Sequence, residues 1–260
     1  MGSQKRQIFF QERDFQQAWN VKSAPSGIFR RLRKKDRLPR QILSETAHFL
    51  GGALLAHDFV LFQNGGLPQL ERRVGPLIEE ILLRPAPSTN SDGTVPMRVC
   101  LHLSHLNLQA NRMRYWPCPT RAPASVSSMD IGQLEIPPCS VIWNLGEDQD
   151  VLSDLVDWVQ KLALPWFEIF ENERELHRKL FRGEITGIHL DTAMELVISE
   201  FGTFEGARFL DQCVLADSEI GVKVRERTSR ILTSQERGVM GQDVISNLAT
   251  LAASYRMIRR

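Results

Sequence analysis

The segment Val151–Phe181 constrains the fold most because it carries the strongest amphipathic pattern in the chain. Its apolar side chains recur at the i, i+3, i+4 and i+7 spacing of one helix face: Val151, Leu152, Leu155, Val156, Trp158, Val159 and Leu162. The regions before and after it can each bury that face. Because Pro165 lacks an N–H and disfavours a helical Leu164, we expect one helix to end there and a second to begin with Pro165 in its first turn.

Short alternating segments before this helix predict an antiparallel or mixed β-sheet. Residues 58–63 and 67–74 flank an Asn-Gly-Gly turn signal and predict a hairpin. Residues 95–108 predict the clearest strand, and its alternation changes phase near Ser104 and His105, which indicates a β-bulge or a strand end. We interpret residues 111–129 as a surface loop, and residues 133–136 and 140–145 as the last strands.

The chain after Gly183 has helical patterns. Thr192–Glu195 is a capping box that opens a helix, and Gly202 closes that helix before Thr203 caps the next. The sequence therefore predicts an α+β fold in which an antiparallel or mixed sheet is packed by helices and followed by a helical C-terminal region. We expect an N-terminal arm with a basic segment over 1–40, an α+β domain over 41–183 and the helical region over 184–260.

The composition argues against binding to nucleic acid or membrane through overall charge, against disulfides and against a transmembrane helix. With 32 Lys and Arg against 31 Asp and Glu, no overall field favours nucleic acid or membrane. The four cysteines are far apart and form no CxxC pair, which favours reduced thiols. No apolar run reaches the ~20 residues of a transmembrane helix. We therefore predict a cytoplasmic protein with no membrane partner and no cofactor.

Residues 28–40 form the main basic run of the chain, IFRRLRKKDRLPR. Such a run is usually a solvated helix face or a linker. The alternative is a nucleic-acid contact in which basic side chains meet phosphates: Arg30, Arg31, Arg33, Lys34, Lys35, Arg37 and Arg40.

Two histidine patterns are candidates for chemistry. His102 and His105 lie three apart on a strand, so they point to opposite faces unless a bulge intervenes, and joint metal binding is disfavoured. Glu173 and His177 can share a helix face, but the charges around them are typical of a solvated, ion-paired surface. The GxSxG, Walker A and HExxH motifs are absent. We therefore assign no catalytic residue and no metal ligand.

Two aromatic pairs are candidates for partner binding. Trp166 and Phe167 follow the proline corner, where core packing is the alternative to an interface anchor. Arg114 and Trp116 combine a cation and an aromatic ring beside a strand end, where edge protection is the alternative.

The order of elements over residues 41–181 resembles an uncharacterised bacterial α+β family of domains of unknown function. The resemblance rests on a helix over His48–His57, the strand DFVLF, the return QLERR, a long strand ending in Tyr115-Trp116, and a helix ending in ALPWFEIF. Some members of that family occur near toxin and immunity genes. The resemblance implies a non-enzymatic role in binding another protein.

We therefore expect a non-enzymatic protein-binding module with an immunity or defence role in bacteria. The alternative is a nucleic-acid-associated protein or enzyme that uses the basic segment over residues 30–40. A third possibility is an enzyme whose site is assembled from scattered residues, which spacing alone does not reveal.

Overall fold

The computed structural model describes residues 39–62, 66–86, 94–115, 124–145, 149–236, 238, 240 and 243–258. These residues belong to one compact unit, 36–260. The helices are α1 (Pro39–Ala53), α2 (Leu106–Tyr115), α3 (Gln149–Trp158), α4 (Leu164–Glu171), α5 (Glu173–Arg182), α6 (Leu190–Phe209), α7 (Ser218–Leu232) and α8 (Val244–Ser254). The strands are β1 (Val60–Phe62), β2 (Gln69–Val74), β3 (Leu77–Pro85), β4 (Val95–His105), β5 (Ala124–Asp130) and β6 (Trp143–Leu145).

The strands form one antiparallel sheet in the order β1-β2-β3-β4-β5, and β6 pairs with the first part of β4. Helices α3 to α8 follow the last strand in the chain. The predicted α+β class with a helical C-terminal region is therefore confirmed. The predicted hairpin is also confirmed, because β1 pairs antiparallel with β2.

Alternation along β4 gives the sheet a buried inner face. Met97, Val99, Leu101 and Leu103 are all fully buried, as the sequence pattern predicts. They belong to a continuous core that also contains side chains of α1 and of helices α3 to α8. The phase change coincides with the end of β4 at His105, one of the two predicted causes, and the register shift between Leu103 and Ser104 arises from an extra residue in β5.

The segment Val151–Phe181 does not break at Leu164, so the predicted end of a helix there is wrong. Leu164 is helical, and its N–H bonds to the carbonyl of Val159 five residues earlier, within a π-helical turn over Val159–Ala163. The wider turn joins α3 to α4 and places Pro165, which has no N–H to donate, in the first turn of α4. The chain turns instead at Asn172, whose side chain accepts a hydrogen bond from the Glu175 N–H and caps α5.

Two other expectations are also wrong. Residues 111–129 are not one loop, because they contain the end of α2 and the whole of β5. Residues 133–136 are not a strand, since Ile131–Leu134 form a 3₁₀ turn that Asp130 caps. Small residues such as Ser125, Ser127 and Ser128 have little intrinsic strand preference, so pairing with β4 decides their conformation.

The C-terminal helices bend or begin at residues with clear local causes. Gly202 has φ 85°, and this non-helical conformation divides α6 where the sequence predicts a helix end. Asp217 and Asp243 accept hydrogen bonds from backbone N–H groups at the starts of α7 and α8. No described helix has both the length and the apolar character needed to cross a membrane.

A buried ion pair ties the C-terminal helices to the sheet domain. Arg112 of α2 donates from Nη2 to Oε2 of Glu195 in α6 at 2.6 Å, and from Nε to the same oxygen at 3.0 Å. Both side chains are almost fully enclosed. Burial raises the pKa of Glu195, whereas the hydrogen bond and charge of Arg112 act to lower it. The predicted capping box is wrong, because α6 begins at Leu190 with His189 as its N-cap, and Glu195 pairs with Arg112 instead.

We expect Arg112→Met to destabilise the fold by about 3–5 kcal/mol, because Glu195 is then buried without its cation. The double variant Arg112→Met/Glu195→Leu should recover most of that loss, since it removes both charges. Urea unfolding followed by circular dichroism measures both effects. Lys161→Met is the control, because Lys161 and its partner Asp157 are exposed. A loss for Arg112→Met no larger than that for Lys161→Met would contradict the role of the buried pair.

Candidate functional site on the outer face of the sheet

The aromatic pair predicted at the proline corner lies in the core. Trp166 and Phe167 are buried, and their rings meet edge to face with centroids 5.0 Å apart. The indole N–H of Trp166 donates to the carbonyl of Thr186 at 3.2 Å. Both residues therefore hold α4 against the rest of the molecule and present almost no surface to a partner.

Most of the other predicted binding residues lie outside the part of the chain that the structure describes. Arg114 belongs to α2, and Trp116 lies outside the described residues. Of the basic set, Arg30, Arg31, Arg33, Lys34, Lys35 and Arg37 also lie outside them. Arg40 is exposed in the first turn of α1. The nucleic-acid hypothesis for this segment stays a prediction.

The two histidines of β4 lie on opposite faces, as their spacing predicts. The extra residue at the bulge is Val126 in β5, so the alternation of β4 is preserved. His105 is buried on the inner side, where Nδ1 accepts from the Leu108 N–H and Nε2 lies 3.0 Å from Glu200 of α6. The hydrogen bond from His105 lowers the pKa of Glu200. His105 therefore caps α2 and joins it to α6.

The outer face of the sheet is made of rows of directly paired residues. One row crosses five strands in the order Val60, Glu71, Glu80, His102 and Ser128. A second row contains Phe62, Gln69, Leu82, Cys100 and Asp130, and a third contains Arg73, Ile78, Ser104 and Ser125. Residues that face each other across antiparallel strands share a face. The first row is polar from Glu71 to Ser128 and apolar at Val60, whereas the second and third rows also contain the apolar side chains of Leu82 and Ile78.

Three polar side chains are joined across the middle of the outer face. His102 Nδ1 lies 2.6 Å from Glu80 Oε2, and His102 Nε2 lies 3.0 Å from Ser125 Oγ. Beside this set of Glu80, His102 and Ser125, Gln69 of β2 donates from Nε2 to the other Glu80 oxygen at 3.1 Å. Sequence reasoning missed this set, because its members lie on three strands and Ser125 falls within the segment interpreted as a loop.

The β1 end of the outer face carries exposed apolar side chains. Val60 is 57% exposed and Phe62 is 36% exposed. On the next strand, Arg73 Nε donates to Glu71 Oε1 at 2.8 Å, so those two charges balance each other. The described residues of β1 are therefore apolar, and the charged pair beside them on β2 carries no net charge.

A separate groove of about 700 Å³ lies at the junction of α4, α5 and α6. Glu173 and His177 both line it, so the structure brings that predicted pair together. His177 Nε2, however, lies 3.0 Å from Glu205 of α6, and its ring stacks on Phe181 with centroids 4.6 Å apart. Hydrogen bonds from His177 and Arg208 lower the pKa of Glu205. The histidine thus joins α5 to α6.

A buried carboxyl group on the inner face of the sheet is linked to this groove through Arg72 and Glu171. Glu79 of β3 is fully buried and accepts from Arg72 Nε at 2.7 Å, and Arg72 Nη2 also donates to Glu171 at 2.5 Å. Among the described residues, no group donates a hydrogen bond to Glu79 Oε1. Burial raises the pKa of Glu79 to about 7 despite the opposing effect of Arg72. The guanidinium of Arg72 therefore donates hydrogen bonds to both Glu79 and Glu171.

Comparisons with known proteins add no family and no relative. No protein-family model matches the chain, and neither a curated protein nor a solved structure matches it. Within the described ranges, no group of three or more His, Cys, Asp or Glu side chains has the arrangement of a metal site. The candidate site therefore rests on the geometry of the outer face alone.

We expect Glu79 to make stability depend on pH between about 4.5 and 7. The unfolded chain releases this proton near the ordinary glutamate pKa of 4.5, whereas burial raises the pKa in the folded chain to about 7. The stabilisation is therefore complete below 4.5 and is lost as pH rises through 7, by on the order of 3 kcal/mol.

Unfolding free energies of the wild type and Glu79→Gln, measured from pH 4 to 8, test this expectation. The neutral amide has no such proton to lose, so the wild type should lose stability relative to the variant as pH rises. Parallel pH profiles for the two proteins would contradict the shifted pKa.

Proposed function

We propose that the chain is a protein-binding module that accepts an extended segment of another protein alongside β1. The observation that carries the proposal is an apolar edge strand. Val60 and Phe62 are exposed on β1, which lies at one edge of the sheet. Among the described residues, β1 pairs only with β2. Its other side can therefore offer backbone N–H and C=O groups to an added strand.

The side chains around β1 favour this use of the edge. Soluble proteins usually protect sheet edges with charged residues or proline, but the described residues of β1 are Val60, Leu61 and Phe62. Leu55, just before the strand, is also exposed. An exposed apolar group of this kind at an edge is typical of an interaction site.

The same features define the chemistry of the partner. Side chains of an added strand continue the rows of the outer face, so alternate residues of the partner contact Val60 and Phe62. The described residues of β1 are uncharged, and Glu71 and Arg73 on the neighbouring strand neutralise each other. We therefore expect the partner to present an uncharged, extended segment with apolar residues at every second position. An immunity or defence role for this module stays a prediction.

A random peptide library displayed on phage and selected on the full chain tests this proposal. We expect selected peptides to have apolar residues at alternate positions, and we expect Val60→Lys and Phe62→Lys each to weaken their binding by about tenfold or more. Val222→Lys and Phe204→Lys are matched controls, because these residues of α7 and α6 are 53% and 75% exposed. Bound peptide should also slow amide exchange over residues 60–62.

Three results would contradict the proposal. The first is peptide binding that survives both β1 substitutions. The second is equal loss of binding in the two control variants. The third is a dimer in sedimentation that Val60→Lys abolishes, because β1 would then be occupied by a second copy of the chain.

A further inference from the structure

The outer face contains a relay of an acid, a base and a hydroxyl that peptide binding at β1 does not use. Glu80, His102 and Ser125 lie on β3, β4 and β5, and the two distances that join them are 2.6 and 3.0 Å. Both are within the range of direct hydrogen bonds. A nucleophile bonded to a base that is itself oriented by a third group is the arrangement that activates serine.

The chemistry of the groups fixes the direction of the relay. A carboxylate only accepts hydrogen bonds, so the short contact with Glu80 requires the proton of the neutral His102 ring to be on Nδ1. Nε2 is then the free acceptor, and the Ser125 hydroxyl donates to it. His102 is therefore held in the tautomer that can take a proton from Ser125.

Neighbouring residues support this geometry. Gln69 donates to Oε1 of Glu80, which leaves Oε2 directed at His102. Glu80 and His102 are partly buried, whereas Ser125 is exposed, so the base is partly shielded and the nucleophile is accessible. Ser104 Oγ lies 3.5 Å from His102 Nε2, at the limit of a hydrogen bond. Of the two hydroxyls, Ser125 is thus the better placed nucleophile.

We infer that Ser125 is a nucleophile that His102 activates toward carboxylic esters, with Glu80 as the positioning residue. In the first step the Ser125 oxygen bonds to the carbonyl carbon and its proton passes to His102 Nε2. The carbon–oxygen bond to the alcohol then breaks, and the leaving oxygen takes that proton. Water next attacks the acyl-serine and gives a proton to His102, which returns it to Ser125 as the carboxylic acid leaves.

This inference goes beyond the binding function and departs from the non-enzymatic expectation. It realises the third possibility left open by the sequence, a site assembled from scattered residues. An ester is the substrate class that this site favours, because an alkoxide is a weaker base than an amide anion and leaves more readily when His102 supplies the proton.

A fluorophosphonate probe and p-nitrophenyl acetate, each applied to the full chain, test the inference. We expect the probe to modify Ser125, as located by peptide mass spectrometry. Ser125→Ala should abolish the modification, and His102→Gln should slow it by about 100-fold or more. Ser128→Ala is the matched control, because Ser128 is an exposed serine of the same strand and the same face. Release of p-nitrophenol should follow the same order among the variants.

Rescue by a conservative variant separates a positioning role for Glu80 from a structural one. Glu80→Gln should slow labelling, because an amide can donate to Nδ1 and no longer selects the His102 tautomer in which Nε2 accepts from Ser125. Glu80→Asp should restore part of the rate. Circular dichroism and thermal unfolding identify variants that remain folded.

Several results would overturn the inference. They are the absence of labelling in the folded wild type, modification of Ser104 or Ser128 in place of Ser125, and a rate that His102→Gln leaves unchanged. Failure of peptide binding at β1 leaves the inference intact, since Val60→Lys and Phe62→Lys do not alter the relay.

Discussion

The antiparallel pairing of β3 with β4 is the constraint on which the rest of the structure depends. The paired residues run from Leu77 with His105 to Pro85 with Met97, which makes this the longest ladder of the sheet. A strand alternates its side chains between two faces, so a slip of one residue would move each side chain of β4 to the opposite face. Leu101 would then leave the core and His102 would enter it. Burial of the inner face therefore fixes the register, and the register places the polar groups of the outer face.

The two faces use polar groups in different ways. On the inner face, Arg72 and Glu79 are a directly paired row, and Arg72 extends to Glu171 at the end of α4. This contact connects the sheet to α4, and it requires the carboxyl group of Glu79 to be buried. On the outer face, Glu80 and His102 are paired in the same ladder, where partial exposure lowers the cost of their charges. The same strand pair thus supplies both a structural link and a candidate reactive site.

The sequence predicted the parts of the fold that follow from local periodicity. Alternation over Met97–Leu103 identified β4, and the apolar stripe over Val151–Leu162 identified α3. Gly202 was identified as a helix end from its conformational freedom. The end of the helix at Leu164 was wrong because a π-helical turn accommodates Pro165, and the simple proline rule does not include that solution.

The candidate site could not be predicted from local sequence patterns, because it depends on strand order and on pairing between distant segments. Val60 and Phe62 appear in the sequence as ordinary strand residues, and only the strand order shows that they form an edge. Ser125 lies among small residues whose strand conformation depends on pairing with β4. Its approach to His102 also requires the bulge at Val126, which no short motif indicates. Trp166 illustrates the opposite case, because a prominent aromatic pair in the sequence became part of the core.

The register of β3 and β4 is tested most directly by disulfide trapping with the native Cys100. Leu82 faces Cys100 across the two strands, whereas Glu80 lies two residues away on the same face. In a background with Cys118, Cys139 and Cys213 changed to serine, mild oxidation of Leu82→Cys should form a disulfide with Cys100, because directly paired residues have the required separation. Glu80→Cys should remain reduced under the same conditions. A disulfide in Glu80→Cys and none in Leu82→Cys would show a register shifted by two residues, which would contradict the direct pairing of Glu80 with His102.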